Sequence, residues 1–473
     1  MKHLPLLCAA GSVCLSAPAA EQTPRPNVLF IIMDDLTTAI GCYGDRDART
    51  PNMDALAARG VRFEHAYCQF SLCAPSRSSF LTGCYPDRTK VYNLSTSFRV
   101  ALPDVVTLPE LFKKEGYTTG LIGKVFHGGG PKIKPDLVLS APLHRDNGIL
   151  AEAKAKNDPS DKPKGKAEGG EKSESYNRCY AASDRPDKDF TDYEIADRAI
   201  AALEQFKDKP FFLTVGFIRP HTPYVAPQAF FDQFDPQEIS MPPFYRPGGE
   251  DLSSIPKAAL RPNNNVFRYQ APTPEEARDA RRAYLAASSF SDAQLGRVLA
   301  KLKELDLDKN TVIALVGDNG YQLGEHGLWA KQTLFRGGTS VPLIVSVPGG
   351  TTGVCSGLVE QVDIYPTLAG LAGLPLPETV QGKTMQPLLE DPSRPGKSYV
   401  FSVMQSTVTK EMGRSISDGR FTYIEWDEGR AGRQLYDNEK DPDQLHNLAD
   451  QPEQAEFIKD MHKRLKAHLN EVQ

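Results

Sequence analysis

Two pairs of oxygen donors stand at the ends of apolar runs in this 473-residue chain. Asp34 and Asp35 follow NVLFIIM (27–33), and Asp318 and Asn319 follow a second run at 311–316. In open parallel sheets ligands collect at the carboxyl ends of strands. Carboxylates and an amide oxygen gathered there would form a hard, all-oxygen site suited to calcium or magnesium. Either pair alone could equally be a helix cap or a solvated turn, but their equivalent placement argues for a metal. The sharpest local signal is Cys73-Ala74-Pro75-Ser76-Arg77, at the start of a helix read from Ser76 to Thr82 and ended by Gly83. A helix N-terminus with an arginine one turn away favours an anionic ligand. For a lone cysteine the alternative is a buried free thiol.

The elements that must position these groups alternate. Strands are expected at 27–33, 118–122, 211–217, 311–316 and 342–347, and helices lie between them, notably 275–305 with apolar residues recurring at three and four. Thr50 reads as the N-cap of a helix with Pro51 in its first turn and Gly60 closing it. The pattern predicts an α/β fold: a large, mostly parallel sheet flanked by helices. A break near 390–396 precedes strands at 399–403 and 421–426 and a closing helix at 453–469, a smaller C-terminal subdomain with an antiparallel sheet. The expected organisation is a catalytic domain over 26–390 and a subdomain over 391–473. Residues 151–177 carry alternating lysines and acids with almost nothing apolar, and are expected to form a solvated insertion.

Residues 1–20 read as a signal peptide: Lys2 and His3, an apolar run to Leu15, then Ala17-Pro18-Ala19. Export to a secreted or periplasmic location is therefore expected, with no transmembrane segment. Six cysteines remain after cleavage (Cys42, Cys68, Cys73, Cys84, Cys179 and Cys355), some of which an exported protein could pair. Lys plus Arg total 55 against 60 Asp plus Glu, a net charge of −5. That balance gives no basic footprint for nucleic acid, and leaves open whether a local positive site exists.

The pentapeptide at Cys73 resembles the C-x-P-x-R signature of type I sulfatases, formylglycine-dependent members of the alkaline phosphatase superfamily. The resemblance extends through Asp34-Asp35, Gly123-Lys124-Val125-Phe126-His127, Pro220-His221-Thr222-Pro223, Gly317-Asp318-Asn319-Gly320 and 323–331, and covers nearly the whole chain after residue 26. Within the family the pattern is most similar to iduronate-2-sulfatases; the 151–177 segment departs from it. The resemblance implies that Cys73 is oxidised to formylglycine by a formylglycine-generating or sulfatase-maturating enzyme. It implies a divalent cation, Ca2+ or alternatively Mg2+, held by Asp34, Asp35, Asp318 and Asn319 with the modified Cys73. Arg77 and Lys124 would anchor the hydrated aldehyde, Asp318 would accept its proton, and His127 would take the proton of its second hydroxyl. His221 would protonate the leaving alcohol and Lys331 would grip the sulfate, with His326 supporting Lys331 from behind. The implied activity is hydrolysis of a sugar sulfate ester, in a uronic acid or related unit of a sulfated polysaccharide. The alternatives are a phosphate or phosphonate monoester hydrolase of the same superfamily, and a silent sulfate-binding protein in which Cys73 stays a thiol.

Overall fold

The computed structural model describes residues 25–127, 129–140, 145–157, 179–241, 252–261, 265–267 and 272–472. The expected signal peptide and most of the charged insertion lie outside the described residues. Seven buried residues, Asn27–Met33 (β1), occupy the middle of an eight-stranded sheet. Its other strands are Val61–Tyr67 (β2), Thr118–Gly123 (β3), Leu137–Leu139 (β4), Phe211–Phe217 (β6), Thr311–Gly317 (β8), Leu343–Ser346 (β9) and Gly353–Glu360 (β10). The order is β10-β2-β9-β8-β1-β6-β3-β4. Only β9 runs antiparallel to its neighbours, so seven carboxyl ends share one edge. The parallel pair β5 (Tyr180–Ser183) and β7 (Tyr224–Pro227) lies apart from this sheet.

β1 explains the layering. Val28, Phe30 and Ile32 face one core with Phe63, Phe80, Phe112 and Tyr365, whereas Leu29, Ile31 and Met33 face the other with Ile195, Leu203, Leu295 and Val298. A strand buried on both faces has no reason to alternate apolar with polar, and each fully buried side chain of this kind contributes about 1.5–3 kcal/mol. Helices α1 (Pro51–Ala58), α3 (Thr191–Phe206) and α4 (Pro274–Glu304) supply the second core, and α2 (Cys73–Thr82) lies on the first. The C-terminal part carries the antiparallel sheet β11 (Val400–Gln405), β12 (Met412–Ser417), β13 (Phe421–Trp426) and β14 (Arg433–Asp437), covered by α5 (Ala455–Val472).

Four expectations change. Residues 151–157 are not loop but the end of a helix, Arg145–Asn157. β2 and β10 were not expected: β2, one strand in from the sheet's edge, mixes buried with half-buried residues and exposed Glu64, and β10 begins exposed. The six cysteines are all free thiols. Thr50 does not cap α1 with its side chain, because its Oγ1 accepts from Gly41 N at 2.9 Å and faces Asp54. The cap comes from α4: Asp292 accepts from Met53 N at 2.8 Å and Asn52 N at 3.1 Å. Burial pushes Asp292 up to about 6, despite these hydrogen bonds.

The sign of its pH dependence follows. Between the ordinary carboxylate range and pH 6 the folded chain keeps a proton that the unfolded chain has released, so this group's contribution falls as pH rises through that window. Asp292→Ala is expected to cost about 1–3 kcal/mol by stranding buried N–H groups. In thermal melts Asp292→Asn should lose less stability at pH 7 than at pH 4, and the opposite trend would contradict the assignment.

Candidate active site

The carboxyl ends of β1 and β8 put Asp34, Asp35, Asp318 and Asn319 side by side, all buried. The register that pairs Met33 with Gly317 places Asp318 N on Met33 O at 3.0 Å and Asp35 N on Asp318 Oδ1 at 2.9 Å. Cys73 is the first residue of α2, a turn earlier than expected, and Gly83 closes that helix in the left-handed region at φ 69°. Every residue of α2 is buried, so its positive N-terminal end acts at the site unscreened by water. Ser76 Oγ donates to Asp318 O, and Gln361 Nε2 reaches the same carbonyl at 3.2 Å, stitching α2 to β8 and β10.

Three cations close around three carboxylates. Arg77 Nε donates to Asp318 Oδ2 at 2.8 Å, with Nη2 3.6 Å from Asp34 Oδ1. Arg77 Nη1 donates to the carbonyls of Lys124 and Val125. Lys124 Nζ is bonded to Asp34 Oδ2. Lys331 Nζ lies 2.6 Å from Asp35 Oδ1 and 2.8 Å from Cys73 Sγ, and Sγ is 3.3 Å from Asp34 Oδ1. Lys124 comes this close because β6 has Gly216 opposite it: a Cβ there would collide with the Lys124 carbonyl.

The electrostatics follow from burial and this pairing. Burial alone would raise Asp34, but Lys124, then His221 and Arg77, outweigh it and hold the carboxyl well below the usual range. Asp35 is lowered too: burial is opposed chiefly by Lys331. Asp318 goes the other way, pushed up to about 6 by burial that Arg77 only partly offsets. Burial, then Asp318 and Asp34, push the Cys73 thiol up, so the unmodified sulfur is a protonated, poor nucleophile. Burial and then Lys124 lower half-buried His127 to about 4. His221, about 31 % exposed, is lowered to about 4 by burial; its Nε2 lies 3.8 Å from Asp35 Oδ2 and its Nδ1 donates to Thr222 O at 2.6 Å.

The donor set fits a divalent cation. Asp34, Asp35, Cys73 and Asp318 each offer an atom within 4.8 Å of the others. Among the described residues Asp35 Oδ2 and Asn319 Oδ1 are buried acceptors with no hydrogen-bond partner, although the two side chains are bonded through Asn319 Nδ2 and Asp35 Oδ1 at 2.8 Å. Orphaned acceptors are costly unless a donor or cation meets them.

The structure thus gathers Asp34, Asp35, Cys73, Arg77, Lys124, His221, Asp318, Asn319 and Lys331, with His127 at the edge. His326 does not bond to Lys331. Its nitrogens meet Gln322 Nε2 at 3.0 Å and Gln444 O at 3.1 Å, and its ring stacks on Phe335 at 3.9 Å. It ties the 322–335 loop to the C-terminal part instead. The roles of Ser76 and Gln361 in holding the Asp318 carbonyl were not expected, because a single serine or glutamine carries no spacing signal.

Cations, carboxylates and a thiol clustered at the carboxyl edge of a mostly parallel sheet suit the binding of an anionic ester. Residues 26–374 match the sulfatase family, and 324–471 match the family described as N-sulphoglucosamine sulphohydrolase, C-terminal. Mouse (Mus musculus) iduronate 2-sulfatase is 35 % identical over 415 residues, 78 % of this chain and 73 % of that protein. Among solved structures, a phosphonate monoester hydrolase from Silicibacter pomeroyi shares the fold with a TM-score of 0.79 at 23 % identity, over 95 % of this chain and 96 % of its own. A protein solved with its substrate D-glucosamine-2-N,6-O-disulfate does so at 0.74 and 22 % identity, over 95 % and 98 %. The chain belongs to the sulfatase family, in the alkaline phosphatase superfamily, and is a sulfuric ester hydrolase.

If the four oxygens hold a cation, elemental analysis of the desalted protein should find about one divalent ion per chain, and Asp318→Ala should lose it. A variant retaining full metal content would overturn this donor set.

Proposed function

We propose that this protein is an exported sulfatase that removes an O-sulfate from a uronic acid, or a related unit, of a sulfated polysaccharide. It would use formylglycine made from Cys73 by a maturating enzyme, and a divalent cation, Ca2+ or alternatively Mg2+. The observation that carries this reading is the setting of Cys73 Sγ, between Lys331 Nζ at 2.8 Å and Asp34 Oδ1 at 3.3 Å, at the start of a buried helix. The Cys-x-Pro-x-Arg spacing supports modification, the apolar run within residues 1–20 supports export, and the name of iduronate 2-sulfatase supports the sugar class.

In this mechanism Sγ marks where the aldehyde hydrate oxygen would stand. Asp34, Asp35, Asp318 and Asn319 would hold the cation. The hydrate supplies the nucleophilic oxygen and the cation supplies the charge that acidifies it. Asp318, pushed up to about 6, accepts a proton close to neutral pH. Arg77 and Lys124 fix the position of the attacking oxygen, and Lys331 grips a sulfate oxygen. His221 donates a proton from Nε2 to the departing alcohol. The imidazole is neutral in the free protein, and an anionic ester beside it favours its protonated form. His127, held to about 4, is an unprotonated base for the remaining hydroxyl proton. Three side-chain cations already balance three carboxylates, so a divalent ion leaves two positive charges for the ester and the incoming oxygen.

The likeness to a phosphonate monoester hydrolase favours a second reading. Sulfate and phosphonate monoesters each present one negative charge on a tetrahedral centre, so a similar site could accept both. Release of inorganic sulfate from a panel of sulfated mono- and disaccharides, run beside an aryl phosphonate monoester, separates the readings. A 2-O-sulfated uronic acid should be turned over at least about tenfold faster in kcat/KM than the other members. Faster phosphonate hydrolysis would favour the second reading, and turnover of other sugars alone would overturn the uronic-acid class.

A further inference from the structure

His221 sits on a turn whose shape is set by groups outside the reaction centre. Arg219 is 1 % exposed. Its Nη1 donates to the carbonyls of both His221 and Pro223, wrapping the turn from inside. Its Nη2 is paired with buried Asp146 at 3.0 Å. Asp146 is fixed in turn, since its Oδ1 accepts from Thr191 Oγ1 at 2.9 Å and Thr191 N at 3.2 Å. Asp192, wholly buried in the first turn of α3, accepts from Ile218 N at 2.7 Å and Arg219 N at 2.9 Å. The entry to the turn is thereby pinned to α3, and its exit to Arg219.

Such an arrangement does more than satisfy polar groups. Two carboxylates and a guanidinium buried together are costly to desolvate, and the atoms they hold are the backbone of the His221 turn. Among the described residues the His221 ring is anchored by Nδ1 donating to Thr222 O, a carbonyl of the same turn, while Nε2 lies 3.8 Å from Asp35 Oδ2. The direction of Nε2 therefore depends on the turn's geometry, and a small misplacement of an acid costs orders of magnitude in rate.

We propose that Arg219, held by Asp146 and seated by Asp192, is the positioning residue that aims His221 Nε2 at the bridging oxygen of the ester. The inference rests on the role of His221 proposed above. In the assisted step the nucleophilic oxygen would bond to sulfur as the bond between sulfur and the bridging oxygen breaks. Its electron pair stays on that oxygen, and the Nε2 proton goes to it, giving a neutral alcohol. A sugar alcohol needs that proton. A nitrophenolate leaves without it. Misaiming His221 therefore slows sugar sulfates selectively, whereas a general loss of structure slows both.

The test measures kcat and KM of His221→Ala, Arg219→Lys and Asp146→Asn on a sugar sulfate and on 4-nitrophenyl sulfate, with thermal melts of each. Arg219→Lys and Asp146→Asn should lower kcat on the sugar sulfate about tenfold or more, and on the nitrophenyl ester less than about threefold. Adding Arg219→Lys to His221→Ala should cost nothing further on the sugar sulfate, because the two act as one unit. Equal losses on both substrates, or additive losses in the double variant, would overturn the positioning role. Equal losses for His221→Ala alone would instead sink the general-acid reading. Asp146→Asn, nearly the same size as the native residue, keeps the test open if the Arg219 variant folds poorly.

Discussion

The centre depends on one constraint: three carboxylates and three side-chain cations are buried against each other at the edge of a parallel sheet. None of the six could stand there alone. Removing one partner of a buried pair costs about 3–5 kcal/mol, because the charge left behind has no solvent. The sheet makes the arrangement affordable by presenting β1 and β8 in a register that carries Asp34, Asp35 and Asp318 on adjacent strand ends. α2 then brings Cys73 and Arg77, the chain after β3 brings Lys124, and the 322–335 loop brings Lys331.

That balance also resolves the question raised by the net charge of −5. With its three local acids paired, the centre is neutral in sum, and a bound divalent cation would make it positive. Here Arg77, Lys124 and Lys331 neutralise the carboxylates, and the orphaned Asp35 Oδ2 and Asn319 Oδ1 leave room for more positive charge. The electrostatics also divide labour among like residues. Asp34 is kept ionised by Lys124, whereas Asp318, with Arg77 its leading cation, stays closer to protonation.

Sequence made the middle of the molecule legible and left its margins obscure, for physical reasons. β1, β6 and β8 are buried on both faces and read as continuous apolar runs. β2 mixes Arg62, Glu64 and His65 with apolar residues, and its partners β9 and β10 come almost three hundred residues later, so nothing local marks it. The residues of the candidate site could be picked out because each lies in a block with its own spacing. His326 lay in such a block too, yet its ring serves packing against Phe335. The Thr50 cap was a sound local inference, defeated when Asp292 arrived from a distant helix. Arg219 and Asp192 carried no signal, since an arginine before a proline and an aspartate in a helix's first turn have ordinary explanations.

The proposed chemistry depends on the chemical state of Cys73, because a protonated buried thiol cannot supply a nucleophilic oxygen. Mass spectrometry of the peptide containing Cys73, from protein purified in its native host and shown to release sulfate, reads that state directly. An aldehyde makes the peptide lighter than the thiol form by about 18 Da, and that is the predicted result. An active preparation in which Cys73 is entirely thiol would contradict the account.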